Sequence, residues 1–241
     1  MKKIAFVIPS LSCGGMERVM SEIINYITKS KKCECHLILY GKSREIFYEI
    51  PQNIVIIHKP NFDFNDRHRT FSTLKTMLYI RKTVKKIKPF SVLSFGELWN
   101  SLVLLSLFGL KFPVYISDRC QPDKTFGFFH ETLRKMLYSK AAKVIAQTEI
   151  AANIYERKYK LKNCIVIPNP IKTPQENKKY ERENIIISIG RLINTKHFDH
   201  LINIFGKINL DNWKLIIIGG DSLKQNNSIN LQNQIKEMEM K

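Results

Sequence analysis

The sequence predicts an α/β fold built on a parallel sheet, and three of its features carry the prediction. Short runs of Val, Ile and Leu alternate with helix-length amphipathic stretches along most of the chain. The runs end in Gly or a charged residue, as at Gly96-Glu97, Asp118-Arg119 and Gly190-Arg191, where a buried strand passes into a loop. An almost wholly polar segment from Thr173 to Asn184 interrupts the alternation once, after the rigid Pro168-Asn169-Pro170, as an interdomain linker does. Parallel pairing through right-handed crossovers follows from the alternation. The expected layout is one complete doubly wound domain over 1–173 and part of a second over 174–241.

Ile4 to Ile8 reads as the first buried strand, and Ser10 to Arg18 leads into a helix with Val19, Ile23, Ile24 and Ile27 on its apolar face. Gly14-Gly15 therefore lies between strand and helix, where paired glycines allow positive φ and let backbone N–H groups approach a phosphate or a sugar hydroxyl. The G-x-G-x-x-G spacing of a dinucleotide fingerprint is missing, and a tight turn is the plainer account of the pair. Strands follow at His36 to Tyr40 and Ile54 to Ile57. A helix from about Phe71 to Ile87 is expected to turn Phe71, Leu74, Leu78, Val84 and Ile87 to the core and Lys75, Arg81, Lys82, Lys85, Lys86 and Lys88 mostly outward. A basic amphipathic helix over 71–88 suits an anionic membrane surface, at about 1 kcal/mol per Lys or Arg. It equally suits plain solvation in a lysine-rich protein.

Ser91 to Phe95 is the next strand, with Gly96-Glu97 at its carboxyl end, where ligands of doubly wound sheets gather. Trp99 and Asn100 open a helix. Pro113 to Ser117 is a further strand, ending in Asp118-Arg119, a charged pair again at a carboxyl strand end, where Arg119 can meet a ligand or pair with Asp118 or Glu131. A helix from Glu131 to Lys140, a strand from Lys143 to Gln147, a helix capped by Thr148 and running to Lys158, and a strand from Cys164 to Pro168 complete the first sheet.

In the second unit, Ile185 to Ile189 reads as a buried parallel strand, and Phe198, Leu201, Ile202 and Phe205 recur at helical spacing. Asn194 or Thr195 is the candidate cap, so the free N–H groups and positive end of the helix dipole open onto the loop between. That loop suits a phosphate: Arg191 offers a planar fork, Lys196 a point charge, and Gly190 an absent side chain. Two solvated cations beside a tight turn are the plainer alternative. His197 and His200 share a face, but no third ligand is evident and no metal is expected. A strand from Trp213 to Ile218, Gly219-Gly220, a turn-capping Asp221 and a weak helix over about 230–238 follow. A core of about 65 residues is small for independent stability.

Of the 241 residues, 44% are apolar, enough for a packed core. The net charge of +18, from 39 basic and 21 acidic residues, favours anionic partners such as nucleotides, phospholipid headgroups or nucleic acid. Nucleic acid ranks last, because no aromatics interleave with the outer cations of the basic helix. Five cysteines lack the paired spacing of a zinc or disulfide framework and are read as reduced. The amino terminus imitates a signal peptide for eight residues, until Pro9 and the charges after it end the apolar run. The apolar stretch from Leu102 to Leu110 falls far short of the roughly 20 residues of a membrane span, so the expected location is cytoplasmic, with peripheral contact at the inner face of the plasma membrane.

Two sequence words add a family. Ser188-Ile-Gly-Arg-Leu-Ile-Asn-Thr-Lys-His-Phe-Asp-His-Leu-Ile202 and Trp213-Lys-Leu-Ile-Ile-Ile-Gly-Gly-Asp221 resemble the start of the nucleotide-sugar domain of family 4 glycosyltransferases. Gly14-Gly15-Met16-Glu17-Arg18 resembles the loop that opens the cleft in the same family, and Ser117-Asp-Arg119 resembles a subgroup acting on sugar polymers. The resemblance implies a GT-B fold, with a Rossmann-like acceptor domain followed by part of a Rossmann-like donor domain. It implies that Arg191 and Lys196 hold the donor diphosphate, with Gly14, Gly15 and Gly190 near it. Glu17, Arg18, Glu97 and Arg119 then fall on the acceptor side. His197 departs from the family, which usually has Gly there. The implied reaction moves a hexose or N-acetylhexosamine, with retention and without a metal or other cofactor, from a uridine diphosphate sugar to a lipid-linked glycan or growing surface polysaccharide. A truncated, inactive remnant or a membrane-surface module is the competing account.

Overall fold

The computed structural model describes residues 1–42, 44–171, 181–208, 210, 212–221 and 225–238. The chain divides into two compact units, Met1–Lys172 and Thr173–Lys241. Most of the polar segment read as a linker, 172–180, lies outside the described residues.

The first unit is a seven-stranded, all-parallel sheet. In chain order its elements are β1 (Lys2–Ile8), α1 (Gly15–Lys29), β2 (Cys33–Leu39), β3 (Ile56–His58), α2 (Arg69–Ile87), β4 (Ser91–Phe95), α3 (Asn100–Leu107), β5 (Val114–Ser117), α4 (Phe128–Leu137), β6 (Lys143–Ala146), α5 (Glu149–Tyr159) and β7 (Cys164–Val166). The spatial order is β3-β2-β1-β4-β5-β6-β7, so the chain switches direction across the sheet between β1 and β4. In such sheets the crevice for ligands opens at the carboxyl ends of those two strands.

Strand side chains alternate between two cores. On one face Ala5, Val7, Val92, Ile116 and Val144 pack under residues of α2 to α5; on the other Phe6, Ile8, Leu37 and Leu39 pack under α1. A groove of about 540 Å³ runs along α1, lined among others by Arg18, Phe95, Arg119, Ile145 and Pro168.

Helix α2 is rotated from the expected setting. Its buried residues are Ser72, Thr76, Ile80, Val84 and Ile87, while Phe71, Leu74 and Leu78 are about half exposed. The hydroxyls explain how polar residues occupy the inner face: Thr76 donates to the Ser72 carbonyl at 2.8 Å and Ser72 to that of Asn65 at 3.1 Å. Arg81 is not a solvent-facing cation either, since it donates to the carbonyls of Ser106 and Phe108 at 2.9 and 2.8 Å and so closes the end of α3. Thr148 caps α5 as expected, accepting from the Ala151 N–H at 3.1 Å.

The second unit holds β8 (Ile185–Ile189), a 3₁₀ turn (Asn194–Lys196), α6 (Phe198–Lys207), β9 (Lys214–Ile218) and α7 (Ser228–Glu237). β8 and β9 pair in parallel from Ile185↔Lys214 to Ile189↔Ile218. β8 is parallel but not buried on both faces: Ile187 and Ile189 are 57% and 73% exposed, as Ile216 and Ile218 of β9 are in part. With two strands, one face of the pair stays uncovered among the described residues, which is the physical reason for the departure.

Candidate functional site

In the first unit the candidate residues stand at the carboxyl ends of β1, β4 and β5. Gly14 and Gly15 do not use the positive φ that paired glycines allow. Gly14 is extended, with φ −168°, and α1 begins at Gly15. Gly14 both donates to and accepts from the Tyr48 hydroxyl, at 3.2 and 2.8 Å, and a Cβ placed on it would lie 2.2 Å from a Glu17 carboxylate oxygen. Gly15 is different: a Cβ there would meet nothing within 4 Å, and α1 has no side-chain cap. Its N-terminus presents N–H groups along an open approach. Gly96, at φ +111°, needs to be glycine, since a Cβ would stand 3.0 Å from Trp99 and 3.3 Å from the Met16 sulfur. This contact brings the turn after β4 against the start of α1.

Arg119 pairs with neither Asp118 nor Glu131. Its guanidinium lies over the Phe95 ring, 3.9 Å from the centroid, and donates to the Asn169 side-chain oxygen. Its Nε is buried without a partner among the described residues. Burial pushes its pKa down to about 10, against small opposing effects of Tyr155 and Asp118. Arg18, exposed, lines the same groove. Glu97 is half-buried beside this loop, and the Cys120 thiol is pushed up to about 12 by burial, then by the charges of Glu97 and Asp118. The structure thus gathers Arg18, Glu97 and Arg119 around the carboxyl ends of β4 and β5.

The anchor of that loop was not foreseen. Asp118 is fully buried and accepts from Arg134, from Tyr138 at 2.6 Å and from Asn100 at 2.9 Å, while its backbone carbonyl accepts from Gln147 at 2.7 Å. Asn100 in turn accepts from Ser94 at 2.8 Å. One buried ion pair therefore ties β4, β5, α3 and α4 together beneath Arg119. The sequence signal was weak, because Arg134 sits among the cations of an ordinary amphipathic helix.

In the second unit Gly190, Arg191 and Lys196 occupy the loop from the end of β8 to the head of α6. Arg191 and Lys196 are exposed and pair with no carboxylate among the described residues. Neither Asn194 nor Thr195 caps the helix. Asn194 instead accepts from the Asn227 side chain at 2.6 Å and its N–H donates to Gln225 at 3.0 Å, fastening the loop to the segment before α7. The N-cap is His197, held left-handed at φ +53°, and it makes no side-chain cap, so the α6 N–H groups remain available. A Cβ on Gly190 would make only ordinary contact with Phe198 and the Lys196 stem. The stricter glycine is Gly219: a Cβ there would lie 1.9 Å from the Gly190 carbonyl oxygen. Gly190 donates to Ile218 and Leu192 to Gly220, at 3.0 and 2.9 Å, so the loop is pressed against the end of β9. The Gly219-Gly220 pair was the available signal. Asp221 accepts from the Asn227 and Ser228 N–H groups at 2.8 and 2.9 Å, at the start of α7.

The loop thus places two cations that are unpaired among the described residues, and a helix end without a side-chain cap, at a strand's carboxyl end, where an anion such as a phosphate would be favoured. The chain is 26% identical over 234 residues to the Campylobacter jejuni GalNAc-alpha-(1->4)-GalNAc-alpha-(1->3)-diNAcBac-PP-undecaprenol alpha-1,4-N-acetyl-D-galactosaminyltransferase, covering 93% of this chain and 63% of that one. It is 27% identical over 229 residues to the amylovoran biosynthesis glycosyltransferase AmsD of Erwinia amylovora, covering 91% and 62%. The chain thus spans somewhat less than two thirds of the length of these relatives. Anabaena Alr3699/HepE, solved in complex with UDP, superposes with a TM-score of 0.74 at 14% identity, covering all of this chain and 67% of that one. The fold is therefore that of the GT-B glycosyltransferases. With the Glycosyltransferase Family 4 model matching residues 13–175 and the Glycosyl transferases group 1 model matching 171–241, the chain belongs to glycosyltransferase family 4.

Proposed function

We propose that the chain carries the donor-diphosphate loop and the acceptor-side surface of a retaining glycosyltransferase, which moves a hexose or N-acetylhexosamine from a uridine diphosphate sugar to a lipid-linked glycan or polysaccharide. The carrying observation is the loop from Gly190 to Lys196, with Arg191 and Lys196 exposed and unpaired among the described residues beside an uncapped helix end. Breaking the sugar–phosphate bond puts charge on the departing diphosphate. Donors already aimed at that charge stabilise the transition state, and losing one costs about 3–4 kcal/mol. In this reading Arg191, Lys196 and the α6 N-terminus supply them, and a departing phosphate oxygen takes the proton of the acceptor hydroxyl. Glu17, Arg18, Glu97 and Arg119 face the acceptor, and the desolvated Arg119 is suited to an acceptor phosphate. Support for the donor class comes from HepE, solved with UDP and with UDP-glucose, and for the acceptor class from the undecaprenol-linked relative.

Calorimetric titration of the 241-residue protein with UDP and UDP-sugars tests this reading. Binding is expected to weaken in Arg191→Ala and in Lys196→Ala, and following UDP release with a lipid-linked acceptor tests transfer. Absence of binding at millimolar UDP-sugar, or affinity unchanged in both variants, would overturn the assignment.

A membrane-surface role has its own support in the exposed side of α2. Phe71, Leu74 and Leu78 are followed along that side by Lys82, Lys85 and Lys86, an apolar half leading into a basic half. No helix among the described residues is long and apolar enough to cross a membrane. Co-sedimentation with vesicles is expected to need anionic lipid, each engaged cation contributing about 1 kcal/mol, and to fall in a Phe71→Ser, Leu78→Ser double variant.

A further inference from the structure

We propose that His197, Asp199 and His200 form a binding site for a divalent transition-metal ion at the head of α6. The sequence shows two histidines without a third ligand; the fold supplies it. Each of the three offers a ligand atom, and these atoms all lie within 4.8 Å of one another, the one such group among the described residues. His200 Nε2 stands 3.7 Å from Asp199 Oδ2, and the two imidazole rings lie 5.3 Å apart, inclined by 38°. All three side chains are exposed, so an ion reaches them without opening the fold.

The backbone creates the grouping. His197 is both the end of the 3₁₀ turn and the N-cap of α6, in the left-handed conformation at φ +53°. The ring of His197 lies beside the ring of His200, one helical turn further on, and Asp199 stands in the same first turn. Left-handed backbone is costly for a residue with a side chain, and glycine would fit the position better. A ligand role gives the imidazole at 197 a use that glycine lacks.

Chemistry selects the ion. Two imidazoles and one carboxylate are a mixed nitrogen and oxygen set, suited to zinc, cobalt, nickel or copper rather than to calcium or magnesium. Ligands at about 2.0–2.1 Å from a tetrahedral zinc stand about 3.4 Å from each other, so exposed side chains need close by little more than 1 Å. Three protein ligands leave a fourth position to water or an anion. The site follows Lys196 directly in the chain, and a bound ion adds its charge beside that lysine without depending on the donor reading.

The test uses the tag-free 241-residue protein, titrated with zinc in competition with a chromophoric chelator and, separately, with cobalt monitored by absorption. His197→Gly, which suits the backbone, and His200→Ala are each expected to weaken one zinc equivalent at least about tenfold, as the loss even of outer-shell partners does. The double variant is expected to lose that equivalent. Cobalt at the site is expected to show ligand-field bands without thiolate charge transfer, since neither ligand type is a thiol. Unchanged stoichiometry and affinity in the double variant, or cobalt spectra dominated by thiolate bands from the cysteines, would overturn the proposal. So would a wild-type protein that takes up no zinc. Circular dichroism of each variant confirms that the helix is retained.

Discussion

Single residues decide the shape of the donor loop. Gly219 has the Gly190 carbonyl where its Cβ would be, at 1.9 Å, so Gly219→Ala must push the end of β9 away from the loop. Overpacking of this kind costs about 1–3 kcal/mol, and the change is expected both to destabilise the second unit in denaturant and to weaken UDP binding. Gly190→Ala, whose Cβ meets only flexible or ordinary contacts, is expected to be milder in both measurements. His197 lies on the opposite side of the ledger. Its left-handed backbone costs roughly 1–2 kcal/mol, offset in part by the greater unfolded-state entropy of glycine, so His197→Gly is expected to stabilise by about 1 kcal/mol or less. Chemical denaturation checks the sign; a destabilised His197→Gly would mean that the ring makes contacts stronger than the strain.

Elements are held by groups that composition hides. The buried pair of Asp118 and Arg134 fixes the loop carrying Arg119, and Arg134→Ala would leave a buried carboxylate without its cation. Such a loss is expected to cost about 3–5 kcal/mol, whereas replacing both partners by Asp118→Asn and Arg134→Met should recover part of it. A pH effect belongs to the same helix. Burial alone would raise the Glu131 carboxyl, but hydrogen bonds from Lys158 and Tyr159, the Arg134 charge and the Phe126 N–H leave it below its ordinary value. A lowered folded-state carboxyl contributes stability that is present above the unfolded value and lost as pH falls through the folded one. Glu131→Gln is therefore expected to flatten the acid side of the stability profile, read by urea midpoints at successive pH values. The strands and helices around this network were legible in sequence because each carries its own period and punctuation: the Val and Ile runs for β1, β4 and β6, Thr148 for the start of α5. The rotation of α2 was not legible. Ser72 and Thr76 look like surface residues until their hydroxyls are seen to bond within the chain, and Phe71, Leu74 and Leu78 look like core until the sheet is found to take the other side. The loop from Gly190 to Lys196 was readable as a basic strand-to-helix connection, but its N-cap, His197 in the left-handed conformation, and its fastening to Asn227 are not encoded in periodicity.

At the scale of the whole molecule the two units differ in how completely their sheets are covered. Seven parallel strands with helices on both faces bury 35 of the 38 buried apolar residues among the described residues, and Leu192, Phe198 and Ile202 are the three in the second unit. Two strands and two helices leave Ile187, Ile189, Ile216 and Ile218 in contact with solvent. A two-stranded sheet is marginal by itself, and a small unit recovers less surface per residue than a large one. The second unit should therefore unfold first. The two tryptophans report this separately, for Trp99 immediately precedes α3 and stands beside Tyr40, and Trp213 immediately precedes β9. In Trp99→Phe the remaining fluorescence is expected to change at lower urea than in Trp213→Phe, with a dye for exposed apolar surface binding before the first unit melts. UDP is expected to move the Trp213 transition toward that of Trp99, because a ligand held by the loop from Gly190 to Lys196 stabilises only the state in which β8, β9 and α6 are folded together. Coincident transitions that UDP leaves unmoved would mean that the loop does not hold the nucleotide and that the second unit draws its stability from cover other than β8, β9, α6 and α7.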